Sequence, residues 1–181
     1  MPIYYLDTSV IIKLYVNEPR TEVMIRLLDE IDSDDRLYTS WFTILELTSV
    51  ILRLAKGGRL GTNTADSIVA GFQHQIGETF LVWPIDESVL TEALAVVERH
   101  TLRSPDAIHL ATAMSIFQLT PELDKVLVTS DVGHRFPSGV GFRRAFLELQ
   151  VLESEGVDGE PRLVWSSGRT NSIGMLVDAI G

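Results

Sequence analysis

Cysteine is absent from the 181 residues. Disulfides, thiolate metal sites and cysteine nucleophiles are therefore excluded, and any metal must be held by oxygen or imidazole. No apolar run approaches the roughly 18 residues needed to span a bilayer. The chain passes from Met1 straight into a strand-like stretch without a basic lead or a cleavage site, so a cytoplasmic protein with no membrane contact is expected. Basic side chains are scarce: Lys and Arg number 15 against 25 Asp and Glu, a formal charge of -10. Such a balance repels a phosphate backbone at long range and counts against a passive nucleic-acid binder. It does not exclude a nuclease, because bound divalent cations invert the local field and part of the negative charge can be the metal site itself. It also suits a basic protein partner.

What the chain does contain is enough apolar sequence, 45% of residues, to bury the core of one domain. Four short runs rich in β-branched or aromatic residues, at 3–6, 36–39, 79–83 and 125–129, alternate with longer helical patterns at 9–16, 21–31, 43–56, 63–75, 87–100 and 105–119. The alternation predicts an α/β fold, helices on both sides of a mainly parallel sheet. Gly57-Gly58 punctuates the end of the third helix, and Ser104-Pro105 reads as a cap residue followed by proline at the first helical position. Residues 143–152 carry a helical pattern and 163–165 a strand pattern; the span 143–181 is read as a C-terminal extension of a single domain covering 1–181.

Four carboxylates stand where this fold brings them together. Asp7 ends the first strand and Asp131 follows the last clear one, and ligand sites of open α/β sheets lie outside the carboxyl ends of the strands. Taken singly, either is equally explained as a helix cap or turn former. Asp106 falls in the first turn of the sixth helix, where the helix dipole already favours an acid by roughly 0.3–1 kcal/mol. Glu46 is the most informative, because its helix, Ile44-Leu45-Glu46-Leu47-Thr48-Ser49-Val50-Ile51-Leu52, is apolar on nearly every side. An ionised carboxylate there needs a cation, either an arginine such as Arg53 or Arg103 or a shared metal ion. His109, three residues after Asp106 on the same helix face, reads as a packed or hydrogen-bonded support. Thr8, Ser9 and Thr129 are candidates to orient the acids, and Lys13, Arg99, Arg103 and Arg135 are candidate phosphate contacts or plain solvated charges.

Together these residues resemble the PIN-domain family, and within it the VapC-type toxins of toxin–antitoxin pairs. Tyr4 to Tyr15, with Leu6-Asp7-Thr8-Ser9 at its heart and Glu18-Pro19 after it, resembles the first motif of the family; residues 40–47, with Glu46, resemble the second. Ser104-Pro105-Asp106-Ala107-Ile108-His109-Leu110-Ala111-Thr112-Ala113 is similar to the third and most specific, and Leu127-Val128-Thr129-Ser130-Asp131 to the fourth. The likeness covers about residues 2–142. It implies a three-layer α/β/α fold with strand order 3-2-1-4-5, a Mg²⁺ or Mn²⁺ site formed by Asp7, Glu46, Asp106 and Asp131, and endonucleolytic cleavage of RNA. It further implies a homodimer and a cognate antitoxin. Two departures bear on Asp131: the stretch 114–125 is longer than the family pattern, and Val132-Gly133-His134-Arg135-Phe136-Pro137 replaces its usual short apolar helix. The alternatives are a PIN-like module that only binds a partner, with no catalysis, and a phosphoaspartyl phosphatase. The latter wants a second aspartate two residues after Asp7, where this chain has Ser9.

Overall fold

The structure is a computed structural model that describes residues 2–18, 21–32, 34–100 and 102–130, together with two strands at 162–166 and 173–178. The order of elements is β1 (Pro2–Leu6), α1 (Thr8–Ile11), a 3-10 turn (Ile12–Leu14), α2 (Thr21–Glu30), β2 (Arg36–Ser40), α3 (Trp41–Lys56), α4 (Thr62–Gln75), β3 (Leu81–Trp83), α5 (Glu87–Arg99), α6 (Ser104–Gln118), β4 (Asp124–Val128), β5 (Arg162–Ser166) and β6 (Ile173–Asp178).

Strands β1 to β4 form a parallel sheet in the order β3-β2-β1-β4. The position of the fifth strand expected beyond β4 lies outside the described residues. β1 lies between two neighbours, with Tyr5 opposite Tyr38 of β2 and Leu127 of β4. A strand in that position is covered on both faces and so reads as an unbroken apolar run, which Ile3-Tyr4-Tyr5-Leu6 supplies. Its side chains part by alternation. Tyr4 and Leu6, with Val126 and Val128 of β4, pack under α1 to α4, against Val10, Met24, Leu47, Ile51 and Phe72. Ile3 and Tyr5 face the other way and join Ala113, Ile116 and Phe117 of α6, while α5 and α6 pack together through Val89, Ala93, Leu110 and Ala111. Helices thus cover both faces of the sheet, as the alternating pattern predicts.

Several boundaries differ from those read along the sequence, each for a local reason. The first helix, expected over 9–16, is only four residues long and tightens into the 3-10 turn after Ile11. α3 begins two residues early because Ser40 caps it, its Oγ accepting from the Thr43 N–H at 3.2 Å. It ends at Gly57, and Gly58 follows at φ 72, a conformation glycine takes without steric cost. α6 is capped by Arg103 rather than Ser104, which is already helical. The expected strand at 163–165 is β5, and it pairs antiparallel with β6, a strand the sequence pattern did not disclose. The helical pattern at 143–152 lies outside the described residues. Among the described residues no helix is long and apolar enough to cross a membrane.

Candidate active site

β2 and β3 lie to one side of β1 and β4 to the other, so the order of strands switches direction between β1 and β4. The carboxyl ends of the strands beside such a switch are the usual ligand position of open α/β sheets. Asp7 is the first residue past β1, and its N–H donates to the Val128 carbonyl at 3.2 Å, tying the two strand ends together. Its Oδ1 caps α1 by accepting from the Val10 N–H at 3.2 Å, and it accepts from the Ser9 hydroxyl at 2.6 Å. The Ser9 Oγ in turn accepts from the Ser130 N–H at 2.9 Å, and the Ser130 hydroxyl donates to the Ser9 carbonyl at 2.9 Å. Asp7 is only 8% exposed. Burial pushes its carboxyl above the ordinary aspartate value, outweighing the opposite pull of His109, Ser9, Thr129 and the Val10 amide.

Glu46 reaches the same edge from α3, with its side chain 26% exposed. The Thr8 hydroxyl donates to Glu46 Oε2 at 2.6 Å, and His109 Nε2 lies 2.9 Å from the same oxygen. Burial alone would push Glu46 up, yet the hydrogen bonds from His109 and Thr8 and the charges of His109 and Arg53 together hold it below the usual glutamate value. The ion pair that Glu46 makes is with His109 of α6, so the arginines considered from the sequence are not its contact partner. His109 itself is buried and bonded through Nδ1 to the Tyr5 hydroxyl at 2.8 Å.

Asp106 occupies the first turn of α6, one turn before His109, with its Oδ2 buried. Asp131 lies outside the described residues, directly after Ser130. The structure therefore places Asp7, Glu46 and Asp106 on three elements that meet around His109. Among the described residues no three acids or histidines stand close enough to hold a metal ion by themselves. A Mg²⁺ ion keeps several waters and is bound through one or two carboxylates, so the donor set, all hard oxygen and led by a buried carboxylate, suits it chemically.

The basic candidates divide. Lys13 is not a solvated surface charge: it is buried and pairs with Glu18 at 3.1 Å. Arg99 and Arg103 are exposed, and Arg135 lies outside the described residues. Tyr5 was missed from the sequence. Its signal was present nonetheless, since a tyrosine on a strand covered on both faces must find a buried partner for its hydroxyl.

A parallel sheet with its strand-order switch between β1 and β4 defines an α/β protein with a buried aspartate where such sheets usually hold their ligands. The chain belongs to the PIN-domain family, whose model matches residues 4–131. Ribonuclease VapC47 of Mycobacterium tuberculosis is 34% identical over 142 residues, which span 76% of this chain and 92% of the relative. Among solved structures, FitAcB from Neisseria gonorrhoeae matches with a TM-score of 0.54 at 22% identity, over 72% of this chain and 88% of that one. VapC20 of Mycobacterium tuberculosis, a toxin described as cleaving the sarcin–ricin loop, matches with a TM-score of 0.51 at 17% identity, over 68% and 86% of the two chains. At those identities the two structures attest the fold.

Proposed function

We propose that this chain is a Mg²⁺-dependent endoribonuclease, Mn²⁺ serving as well, and the toxin half of a toxin–antitoxin pair. The observation that carries the reading is the buried Asp7 carboxylate at the β1–β4 switch, with Glu46 tied to the neighbouring Thr8 from α3 and Asp106 in the first turn of α6. An ionised carboxylate so far out of water calls for a cation. Likeness to a protein named as a ribonuclease supports the substrate class.

In this reading Asp7 and Asp106 are the principal ligands and Glu46 and Asp131 complete the pocket. When bound, the metal supplies Lewis acidity at the phosphodiester and makes a neighbouring water a better nucleophile. The chain does the rest. Ser9 and Thr129 hydrogen-bond the Asp7 carboxylate and fix its orientation. Thr8 and His109 hold Glu46 by one oxygen and favour its ionised form, which can accept hydrogen bonds from water. The clasp of Ser9 on Ser130 anchors the backbone just before Asp131 to the Asp7 turn.

The resemblance to VapC-type toxins also carries an antitoxin partner, a homodimer and a cytoplasmic setting. Leu90, Leu94 and Val97 form one exposed apolar stripe on α5, and Trp41 and Leu45 another on α3, offering surface for those contacts. The test is RNA cleavage with mapping of the new ends, using wild type and Asp7→Asn in EDTA, Mg²⁺ and Mn²⁺. Cleavage that needs the metal and vanishes in the variant is expected. Undiminished cleavage by protein shown to be metal-free would defeat the reading.

A further inference from the structure

We propose that His109, braced by Tyr5, is the positioning residue that aims Glu46 in the metal pocket, so that cation affinity depends on a side chain that never touches the cation. The inference rests on the metal-site reading above and names the device that holds one of its acids in place.

The imidazole is fixed on every side. Tyr5, fully buried on β1, sets its hydroxyl 2.8 Å from Nδ1. The Phe42 ring of α3 meets the imidazole edge-on, with centroids 5.4 Å apart and planes at 62°, and the Tyr5 ring lies at 6.0 Å and 57°. Nε2 stands 2.9 Å from Glu46 Oε2 and 3.2 Å from Thr8 Oγ1. The count of hydrogens then assigns the roles. An ionised carboxylate can only accept, so Nε2 carries the hydrogen that Glu46 receives. Nδ1 is left to the Tyr5 hydroxyl, which can donate to a bare ring nitrogen or accept from a protonated one. The Thr8 hydroxyl spends its own hydrogen on the same Oε2, at 2.6 Å.

Both bonds to Glu46 fall on Oε2, and neither engages Oε1. One oxygen is thus tethered from α6 and from the start of α1, while the other is left to a ligand. A glutamate has three side-chain torsions and loses considerable rotamer freedom when fixed. The tether meets that cost in the folded protein before any cation arrives, which is the physical content of preorganisation. A histidine retained only to satisfy the Tyr5 hydroxyl would need its Nδ1 alone. The Nε2 contact across to α3 is what a positioning role adds.

The experiment measures Mn²⁺ affinity by calorimetry on metal-free protein, for wild type, His109→Ala, His109→Gln, Tyr5→Phe, Glu46→Gln and the double variant Glu46→Gln/His109→Ala. His109→Ala should weaken binding by roughly 10–100-fold, the usual scale for a residue that orients a metal ligand. His109→Gln, which keeps an N–H at the reach of Nε2, should recover most of that loss. Tyr5→Phe keeps the ring and removes only the brace, so it should weaken binding by a smaller factor. In the Glu46→Gln background the His109 change should add nothing, because its whole effect passes through Glu46. Melting curves in EDTA establish that each variant is folded; should His109→Ala fail to fold, His109→Gln and Tyr5→Phe carry the test. An equal loss from His109→Ala in both backgrounds, or Mn²⁺ affinity unchanged in all three positioning variants, overturns the proposal while leaving the metal site intact. A wild type that takes up no Mn²⁺ overturns the metal site and this inference together.

Discussion

Asp7 and Glu46 stand at one sheet edge, yet their carboxyl groups are displaced in opposite directions, up for Asp7 and down for Glu46. The difference lies in what surrounds them. Asp7 is almost wholly buried, and its direct partners are neutral donors: two hydroxyls and an amide. Glu46 keeps a quarter of its side chain in solvent and accepts from an imidazole as well as a hydroxyl. One acid is therefore held by the fold in a place where its charge is unwelcome, and the other where its charge is already answered. The lesson is that the two halves of the pocket divide the work. In the proposed metal site Asp7 would supply the less fully answered negative charge that draws a cation, and Glu46 a carboxylate whose position is settled beforehand.

The largest test of that division is on Asp7 itself. Asp7→Asn keeps a good helix cap for α1, since asparagine caps as well as aspartate, but removes the charge. RNA cleavage should fall by roughly 100–1,000-fold, the scale for losing a group that stabilises charge in the transition state. A variant retaining most of its cleavage would mean that the charge sits elsewhere. Next in size is Ser9→Ala. Ser9 bonds only the Asp7 half, by its 2.6 Å donation to Oδ1 and by its acceptance from Ser130. Mn²⁺ affinity should drop by about 10-fold, at the low end for orienting groups, and the drop should persist in the Glu46→Gln background. If instead it disappears there, the two halves are coupled and the proposed division is wrong.

Asp106 gives a smaller and more discriminating effect. Were it only a first-turn helix residue, Asp106→Asn would cost roughly 0.3–1 kcal/mol with or without metal. As a pocket acid its removal relieves repulsion, so the melting temperature in EDTA should hold or rise, while the gain on adding Mg²⁺ should shrink relative to wild type. Thermal melts in both buffers separate the cases. An equal loss in each, with cleavage intact, returns Asp106 to its helix.

The difference between the two halves also marks how far the sequence could be read. Asp7 at a strand end and Asp106 behind Ser104-Pro105 were visible because local punctuation places them. Glu46 stood out by its apolar surroundings, and the four strands of the main sheet by their β-branched runs. What answered the Glu46 charge was not visible: the partner is 63 residues away, and the brace on that partner 104 residues away, so no local pattern records either. The same holds for Lys13, whose burial is decided by how the 3-10 turn after α1 packs and by its pairing with Glu18. β6 was missed because Gly174 weakens its strand pattern, and its pairing with β5 is nonlocal.

The subtlest prediction concerns pH, in protein kept free of metal with EDTA. Burial raises the Asp7 carboxyl of the folded state above its unfolded value, so ionised Asp7 opposes folding at neutral pH, and that opposition fades as the pH falls through the raised value. Glu46 is displaced the other way. Its contribution favours folding, is complete above the unfolded glutamate value, and is lost as the pH falls through the depressed folded value. Melts of wild type, Asp7→Asn and Glu46→Gln between pH 7.5 and about pH 4 read both slopes, the lower limit set near the unfolded carboxylate range. The advantage of Asp7→Asn over wild type should be greatest at neutral pH and shrink on acidification. The disadvantage of Glu46→Gln should stay level across the neutral range and begin to close only near the acid end. Two differences that move together with pH would show the carboxylates sharing one environment, and the contrast between a charge left unmet and a charge already answered would have to be given up.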